Sequence, residues 1–334
     1  MIRTARTART RAALAAVALL TGLATACGDD GGGGSGGRPD PMRGRQWALT
    51  SLKLPGAWGR SKGDDTVIAI VDSGVDLDHP DLKGRLVAGY DFVDHDDKPN
   101  DEYGHGTHVA GIAAAHTDNG VGIAGGAPGA KIMPVRVMGA DGTGSKADIT
   151  KGIVWAADHG ADVINLSLGE GPLMSNLLRG GILNQAIQHA HDKGAVVVAA
   201  AGNDSSRTQP YKIGTPVVVV NASDQNGNPA SFSNFGAQNA VSAPGVGILS
   251  TLPTYPVALT EKDGNTSGYG ELDGTSMAAP YVSAIAALLH HEGVKPDDII
   301  KDIRDTAKNP RSRPRLGLGV VDAQAAVNKA GEDG

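Results

Sequence analysis

Gly274-Thr275-Ser276-Met277-Ala278-Ala279-Pro280 opens a run that stays apolar on nearly every side as far as His291. A helix of that composition has no face to give to water, so it is expected at the centre of a fold with other elements around it. What surrounds it is legible on the N-terminal side. Val67 to Val71, Lys131 to Val137, Val163 to Leu166, Ala195 to Ala200 and Val217 to Val220 are short apolar runs, the pattern of strands buried on both faces. Thr107 to Ala115, Lys146 to Asp158 and Gly181 to Asp192 carry helical spacing between them. This alternation predicts an α/β fold: a doubly wound, mainly parallel sheet with helices on both faces. At 334 residues and 40% hydrophobic content the chain can bury a large core, and a single domain is expected. Aromatics make up only 4%, so Val, Ile, Leu and Ala must fill that core.

Ligands of such sheets collect at the carboxyl ends of the strands. Asp72 and Asn203 both follow strand runs directly. Asp72 stands in Ile70-Val71-Asp72-Ser73-Gly74, and a histidine follows in His105-Gly106-Thr107-His108-Val109-Ala110-Gly111 at the start of a helix pattern. With Ser276 these make an aspartate, a histidine and a serine in chain order, the parts of a charge-assisted nucleophile. A serine hydroxyl needs a base to take its proton during attack. His105 is the candidate base, and Asp72 the acceptor that fixes its tautomer; of the nearby Asp76, Asp78 and Asp81, none ends the apolar strand. A lone serine at a helix start is ordinarily a cap. Here the hydroxyl stands inside a motif of seven residues, at the helix end where free N–H groups favour developing negative charge.

From about Asp40 to about Val327 the chain resembles the subtilisin-like serine peptidases, the subtilase family, in its thermitase/subtilisin-like branch. The resemblance implies an endopeptidase acting on polypeptides through Asp72, His105 and Ser276. Asn203, in Ala200-Ala201-Gly202-Asn203, would hold the tetrahedral oxygen together with the Ser276 N–H, and His108 would be structural. The P1 pocket is implied beside Ser167-Leu168-Gly169 and from Ala200 to Gly202. Gly142-Thr143-Gly144 would be the edge to which an extended peptide adds a strand, a largely sequence-independent mode that favours broad cleavage. Asp204 either attracts a basic P1 side chain or faces solvent. The chain departs from the family pattern between Asn203 and Asn221, which looks shortened, and at Tyr281, where many members have histidine. A catalytically silent peptide-binding lipoprotein is the alternative reading, although all four site residues are present.

The resemblance also implies structural Ca²⁺, and no cofactor for catalysis. Asp81 matches the carboxylate of the family's high-affinity site, with Asn119 as a side-chain ligand, the Thr117 to Ile123 loop (Thr117, Val121, Ile123) supplying carbonyl oxygens, and Asp40 closing it. Asp91, Asp94, Asp96, Asp97 and Asn100 resemble the branch's additional site; the ordinary reading of such a run is a solvated acidic loop.

Residues 1–26 read as an export signal, with Arg3, Arg6, Arg9 and Arg11 ahead of the apolar run Ala12 to Leu20. Its removal takes four positive charges from a chain whose formal net charge is already −6. Cys27, the only cysteine, follows Ala24-Thr25-Ala26 and resembles the acylated cysteine of a bacterial lipoprotein, which would place the protein on the outer face of the cell membrane; plain secretion fits the same small residues. Residues 27–39 then form the anchor and a Gly-rich tether spanning roughly 20 Å, residues 40–330 the peptidase domain, and residues 331–334 a tail. The family usually has a propeptide, and about a dozen residues between Cys27 and Asp40 leave no room for one. Calcium is therefore expected to supply more of the stability. With no basic stripe carrying interleaved aromatics, nucleic acid is not an expected partner, and the Arg311, Arg313, Arg315 cluster reads as a solvated loop. A monomer is expected.

Overall fold

Each of the five β-branched runs becomes a strand in the computed structural model, which describes residues 37–168, 181–261, 264–265 and 267–331. The strands are β1 (Val67–Asp72), β2 (Tyr90–Asp91), β3 (Lys131–Arg136), β4 (Val163–Leu166), β5 (Val196–Ala200), β6 (Val217–Ser223), β7 (Val241–Pro244), β8 (Ile248–Thr251) and β9 (Tyr269–Leu272). The helices are α1 (Trp47–Ser51), α2 (Leu54–Ala57), α3 (His105–Ala114), α4 (Lys146–Asp158), α5 (Gly181–Asp192), α6 (Ala258–Glu261), α7 (Thr275–His291), α8 (Pro296–Asp305) and α9 (Ala323–Ala330). The leader, Cys27, the tether as far as residue 36, Gly169 and residues 332–334 lie outside the described residues.

Seven strands form one sheet in the order β2-β3-β1-β4-β5-β6-β7, with every pairing parallel. From β1 the chain runs outward to β3 on one side and then returns to β4 on the other. The sheet's switch point therefore lies between β1 and β4, where a ligand crevice is expected. Asp72 ends β1, and Ser167 follows β4 at that point. One core, on the α3, α7 and α9 side, takes Ile68, Ile70, Val196, Val198 and Val218; a second, on the α4 and α5 side, takes Ala69, Val71, Ile164, Val197 and Val219. Successive strand residues thus alternate between two layers of helices.

The Ser276 to His291 run is the enclosed helix that its composition calls for: every residue of α7 from Thr275 to Leu289 is buried. Val282, Ile285, Leu288 and Leu289 have no exposed surface, and each such side chain contributes about 1.5–3 kcal/mol by leaving water. Several elements did not stand out in the sequence. The edge strands β2 and β7 are two and four residues long, and β7 carries Ser242 and Pro244. The antiparallel pair β8–β9 lies outside the main sheet. Helices α8 and α9 close the C-terminal side, and Arg304, from α8, donates to the Val217 carbonyl at 3.0 Å.

Candidate active site

The carboxylate of Asp72 is fully buried, and its Oδ1 accepts two bonds of 2.8 Å, from the Ser73 N–H and from His105 Nδ1. Its Oδ2 is buried and has no hydrogen-bond partner among the described residues. With Nδ1–H committed to Asp72, a neutral His105 keeps its lone pair on Nε2, the form in which imidazole takes up a proton. The His105 side chain is 14% exposed and that of Asp72 wholly buried, so the ring stands nearer the surface than its anchor.

His105 is the first residue of α3, and the helix start is held by a residue the sequence reading passed over. Asp101, wholly buried, accepts from Ser73 Oγ, Tyr103 N and Gly104 N on Oδ1, and from Thr107 N and Thr107 Oγ1 on Oδ2. Burial pushes its pKa up, and the bonds from Thr107 Oγ1, Gly104 N, Thr107 N and Ser73 Oγ work against the shift. Ser73 Oγ in turn accepts from Gly106 N at 2.9 Å, which ties the end of β1 to the start of α3. Further along, Ser250 and Thr251 of β8 donate to the carbonyls of His108 and Thr107, both at 2.7 Å. Close contact there requires glycine: a Cβ on Gly111 would sit 2.2 Å from Thr251 Oγ1.

Ser276 is 3% exposed and stands in the first turn of α7. Pro280, four residues on, has no N–H to give, so the Ser276 carbonyl lacks its helical donor. Ser167 Oγ fills that position at 2.8 Å. In the other direction, the Ser276 hydroxyl donates to the Ser167 carbonyl at 3.1 Å. Behind Ser167 stands a dry polar chain in which Asn165 Nδ2 donates to Ser167 Oγ (2.9 Å) and Ser283 Oγ donates to Asn165 Oδ1 (2.8 Å). Asn165, Ser167 and Ser283 are all buried, so each of these bonds is shielded from water.

Asn203 turns its Oδ1 toward α7, where it accepts from Thr275 N (2.9 Å) and Thr275 Oγ1 (3.0 Å), while Thr275 Oγ1 accepts from Gly202 N at 3.1 Å. The Asn203 amide N–H₂ has no hydrogen-bond acceptor among the described residues. A Cβ placed on Gly274 would lie 3.5 Å from Asn203 Nδ2 and 3.6 Å from Ser276 N, so the two donors border one space that a side chain at 274 would fill. A pair of converging N–H donors is the arrangement that stabilises an oxyanion.

Of the expected binding residues, Gly142, Thr143 and Gly144 form a tight turn: Gly139 N donates to Thr143 O, Asp141 accepts from Thr143 N and Oγ1, and Gly144 bridges to Met138. Gly142 has φ +72°, and a Cβ there would come within 2.6 Å of the Tyr103 ring, which packs directly on it. Leu168 and Ala200 are 2% and 0% exposed, so what they offer a ligand is main chain rather than side chain. Gly202 has φ +98°. Asp204 is exposed, and its carboxylate accepts from Asn234 Nδ2 at 3.3 Å.

The first expected calcium set converges. Asp40 and Asp81 are both buried and flank the 117–123 loop: Asp40 accepts from Asp118 N and Asn119 N, and Asp81 from Asn119 Nδ2 and Ile123 N. Neither has an ion-pair partner among the described residues, and burial pushes the Asp81 pKa up to about 6, with the charge on Asp40 adding to the shift. Two buried, unneutralised carboxylates beside a loop of carbonyls are a donor set of the type that suits a hard divalent cation. Thr117, Val121 and Ile123 are all in that loop.

The second set is built differently. Arg136 donates through Nη1 to Asp91 and Asp94, both at 2.7 Å, and through Nη2 to Glu102. Asp96 accepts from Lys98 N, and Asn100 pairs its backbone with Val75. No group of three or more metal-ligating side chains gathers at either set among the described residues, and at this second one the cation that Asp91 and Asp94 hold is a guanidinium.

His108, buried on α3, donates from Nε2 to the Gly270 carbonyl at 3.1 Å, and burial pushes its pKa down to about 3. It is a neutral structural ring. Asp101, Thr275, Asn165 and Tyr103 complete the site and had not been singled out. One signal was present, since Pro280 placed four residues after Ser276 announces an orphaned carbonyl at the serine.

Compared with family models, residues 63–321 match the one described as the subtilase family. Thermitase from Thermoactinomyces vulgaris is 44% identical over 285 residues, covering 85% of this chain and 94% of thermitase. A protease from Pseudoalteromonas arctica superposes with a TM-score of 0.75 at 34% identity over 89% of this chain and all of that one. Fervidolysin from Fervidobacterium pennivorans, described as a keratinolytic enzyme related to subtilisin, gives 0.73 at 33% identity over 86% of this chain and 46% of its own.

Proposed function

The chain belongs to the subtilase family and is a subtilisin-like serine peptidase, and from that premise we propose that it is an exported, calcium-stabilised endopeptidase of broad specificity working through an acyl-enzyme on Ser276. The observation that carries the proposal is the buried 2.8 Å bond from His105 Nδ1 to Asp72, together with the space that Asn203 Nδ2 and Ser276 N border.

In the proposed reaction an extended substrate lies against the Gly142–Gly144 edge with its scissile carbonyl over Ser276. The Ser276 hydroxyl leaves the Ser167 carbonyl, His105 Nε2 takes its proton, and Oγ bonds to the carbonyl carbon. Asp72 holds the ring and stabilises the imidazolium. Negative charge forms on the former carbonyl oxygen, which meets the N–H groups of Ser276 and Asn203. One such donor is worth roughly 2.7–4 kcal/mol, a magnitude that belongs to the equivalent asparagine of subtilisin and is taken over here. Collapse breaks the C–N bond as His105 returns its proton to the amine nitrogen, leaving an ester on Ser276. Water then gives a proton to His105, its oxygen attacks the ester, and the acid product leaves as Ser276 regains its hydrogen. Thr275 supports the step by fixing the Asn203 orientation.

Calcium belongs to the proposal at Asp40, Asp81, Asn119 and the carbonyls of Thr117, Val121 and Ile123. When bound, the ion would neutralise the two buried carboxylates and brace the chain start against the loop. The Asp91–Asn100 loop is not given an ion here, because Arg136 already supplies its positive charge. Export rests on residues 1–26, and acylation at Cys27 would leave the enzyme on the outer face of a bacterial membrane.

Turnover of unfolded casein by the full chain in millimolar calcium tests the reading. Wild type should release peptides and Ser276→Ala should release none. Equal, negligible release by both folded proteins would turn the assignment to a peptide-binding protein without turnover.

A further inference from the structure

The arginine cluster at 311–315 is not a solvated loop throughout. Arg315 donates to the carbonyls of Ser231 and Ser233 and lies over the Phe235 ring, and Arg313 donates to the Gly227 carbonyl at 2.6 Å. Between that loop and the start of α2 is a cavity of about 320 Å³, lined by Lys53, Lys308, Arg311 and Arg313 together with the Asn226–Gly227 turn. None of the candidate active-site residues lines it.

Its charge is the opposite of the molecule's. The chain has a formal net charge of −6, yet this cavity sets four cationic side chains against one carboxylate, Asp322. Asp322 is already occupied: Oδ1 caps α9 through Ala325 N, while Oδ2 accepts from Lys53 Nζ and Lys308 Nζ, both at 2.6 Å. Each ammonium group therefore keeps donors to spare. Arg311 is exposed and has neither a hydrogen bond nor an ion pair among the described residues, so its whole guanidinium fork is open. Gathering four like charges costs repulsion that a purely structural Lys53–Asp322–Lys308 clamp would not require.

We propose that this cavity is a phosphate-binding site, separate from the peptidase site, that takes a phosphate group carried by a larger molecule. Two ammonium groups supply point charges and Arg311 a planar fork, a donor set matched to several oxygens on one tetrahedral anion rather than to a single carboxylate. The cavity has room for the phosphate and a small substituent. Two sources share this chemistry, a soluble phosphate ester and a phospholipid headgroup.

The test is calorimetric titration of inorganic phosphate into the full chain carrying Ser276→Ala, against sodium chloride at equal ionic strength, alongside Arg311→Glu and Arg311→Lys. Saturable phosphate binding, weakened at least tenfold by Arg311→Glu and by a smaller factor by Arg311→Lys, which keeps the charge and loses the fork, is expected. Vesicles of phosphatidylglycerol and phosphatidylcholine then separate the sources. A preference for the anionic vesicles that Arg311→Glu removes assigns the headgroup, and phosphate binding without that preference assigns a soluble ester. Phosphate that binds no better than chloride, or equally well to Arg311→Glu, overturns the proposal. Peptidase activity on casein should be the same in all Arg311 variants with Ser276 intact, since the residue is outside the catalytic machinery.

Discussion

Ser167 meets the proposed nucleophile twice, accepting the Ser276 hydroxyl on its carbonyl and giving its own hydroxyl to the Ser276 carbonyl that Pro280 leaves without a donor. The sequence placed Ser167 beside the substrate pocket, but a one-dimensional reading has no way to show that β4 passes under the first turn of α7. Removing the hydroxyl leaves a buried carbonyl unsatisfied, at about 1–3 kcal/mol. Ser167→Ala is therefore expected to lower kcat about tenfold through misplacement of Ser276 while KM for a peptide ester changes less than threefold. Circular dichroism should remain that of wild type. A KM effect larger than the kcat effect would show that Ser167 acts on substrate binding and not on the position of Ser276. Asp72, His105, Ser276 and Asn203 could be singled out because each stands in a compact motif near the start or end of an element. Asp101 and Asn165 could not: their importance lies in hydrogen bonds to residues that are near only once the chain has folded.

Among the elements, strands rich in β-branched residues and the all-apolar α7 announce themselves, because burial on every side leaves nothing but an unbroken hydrophobic run. The edge strands β2 and β7 and the β8–β9 pair are short and partly polar, so what makes them strands is the neighbour they pair with. Helix α8 did carry a signal, with Pro296 at its start and Asp297 and Asp298 in its first turn. The contact between α3 and β9 has a pH consequence. His108 lies between them with its pKa pushed from 6.5 down to about 3 by burial. Above pH 6.5 the ring is neutral in both states and its contribution is complete. Below that, the unfolded chain takes up a proton which the folded site refuses until pH nears 3, so stability falls as pH falls across this window. The slope from one such group is at most about 1.4 kcal/mol per pH unit. Urea unfolding of His108→Gln should show a shallower loss between pH 6.5 and 4 than wild type, whereas parallel curves would remove His108 as a source of acid sensitivity.

For the molecule as a whole, composition and alternation sufficed for a doubly wound parallel sheet, because only helices on both faces can cover strands that are apolar throughout. The start of the domain, placed at Asp40 in the sequence, owes its reading to the family resemblance rather than to local pattern. It depends on Asp40 reaching the 117–123 loop, a contact across more than seventy residues of sequence. If calcium occupies that junction, excess EGTA should lower Tm by several degrees, because one site at a hundred times its Kd adds about 2.7 kcal/mol. Asp81→Asn should melt at the same temperature with or without the chelator, and a wild-type midpoint indifferent to EGTA would remove the ion from the account. The central claim, that Asp72 and His105 activate Ser276 in a domain that folds from this chain, is tested most directly by covalent labelling with a fluorophosphonate probe in millimolar calcium. The probe's phosphorus should be found on Ser276 Oγ, with labelling lost in Ser276→Ala and strongly reduced in His105→Ala. A wild-type protein that is folded by circular dichroism yet takes no label, or a label on any other residue, would contradict it.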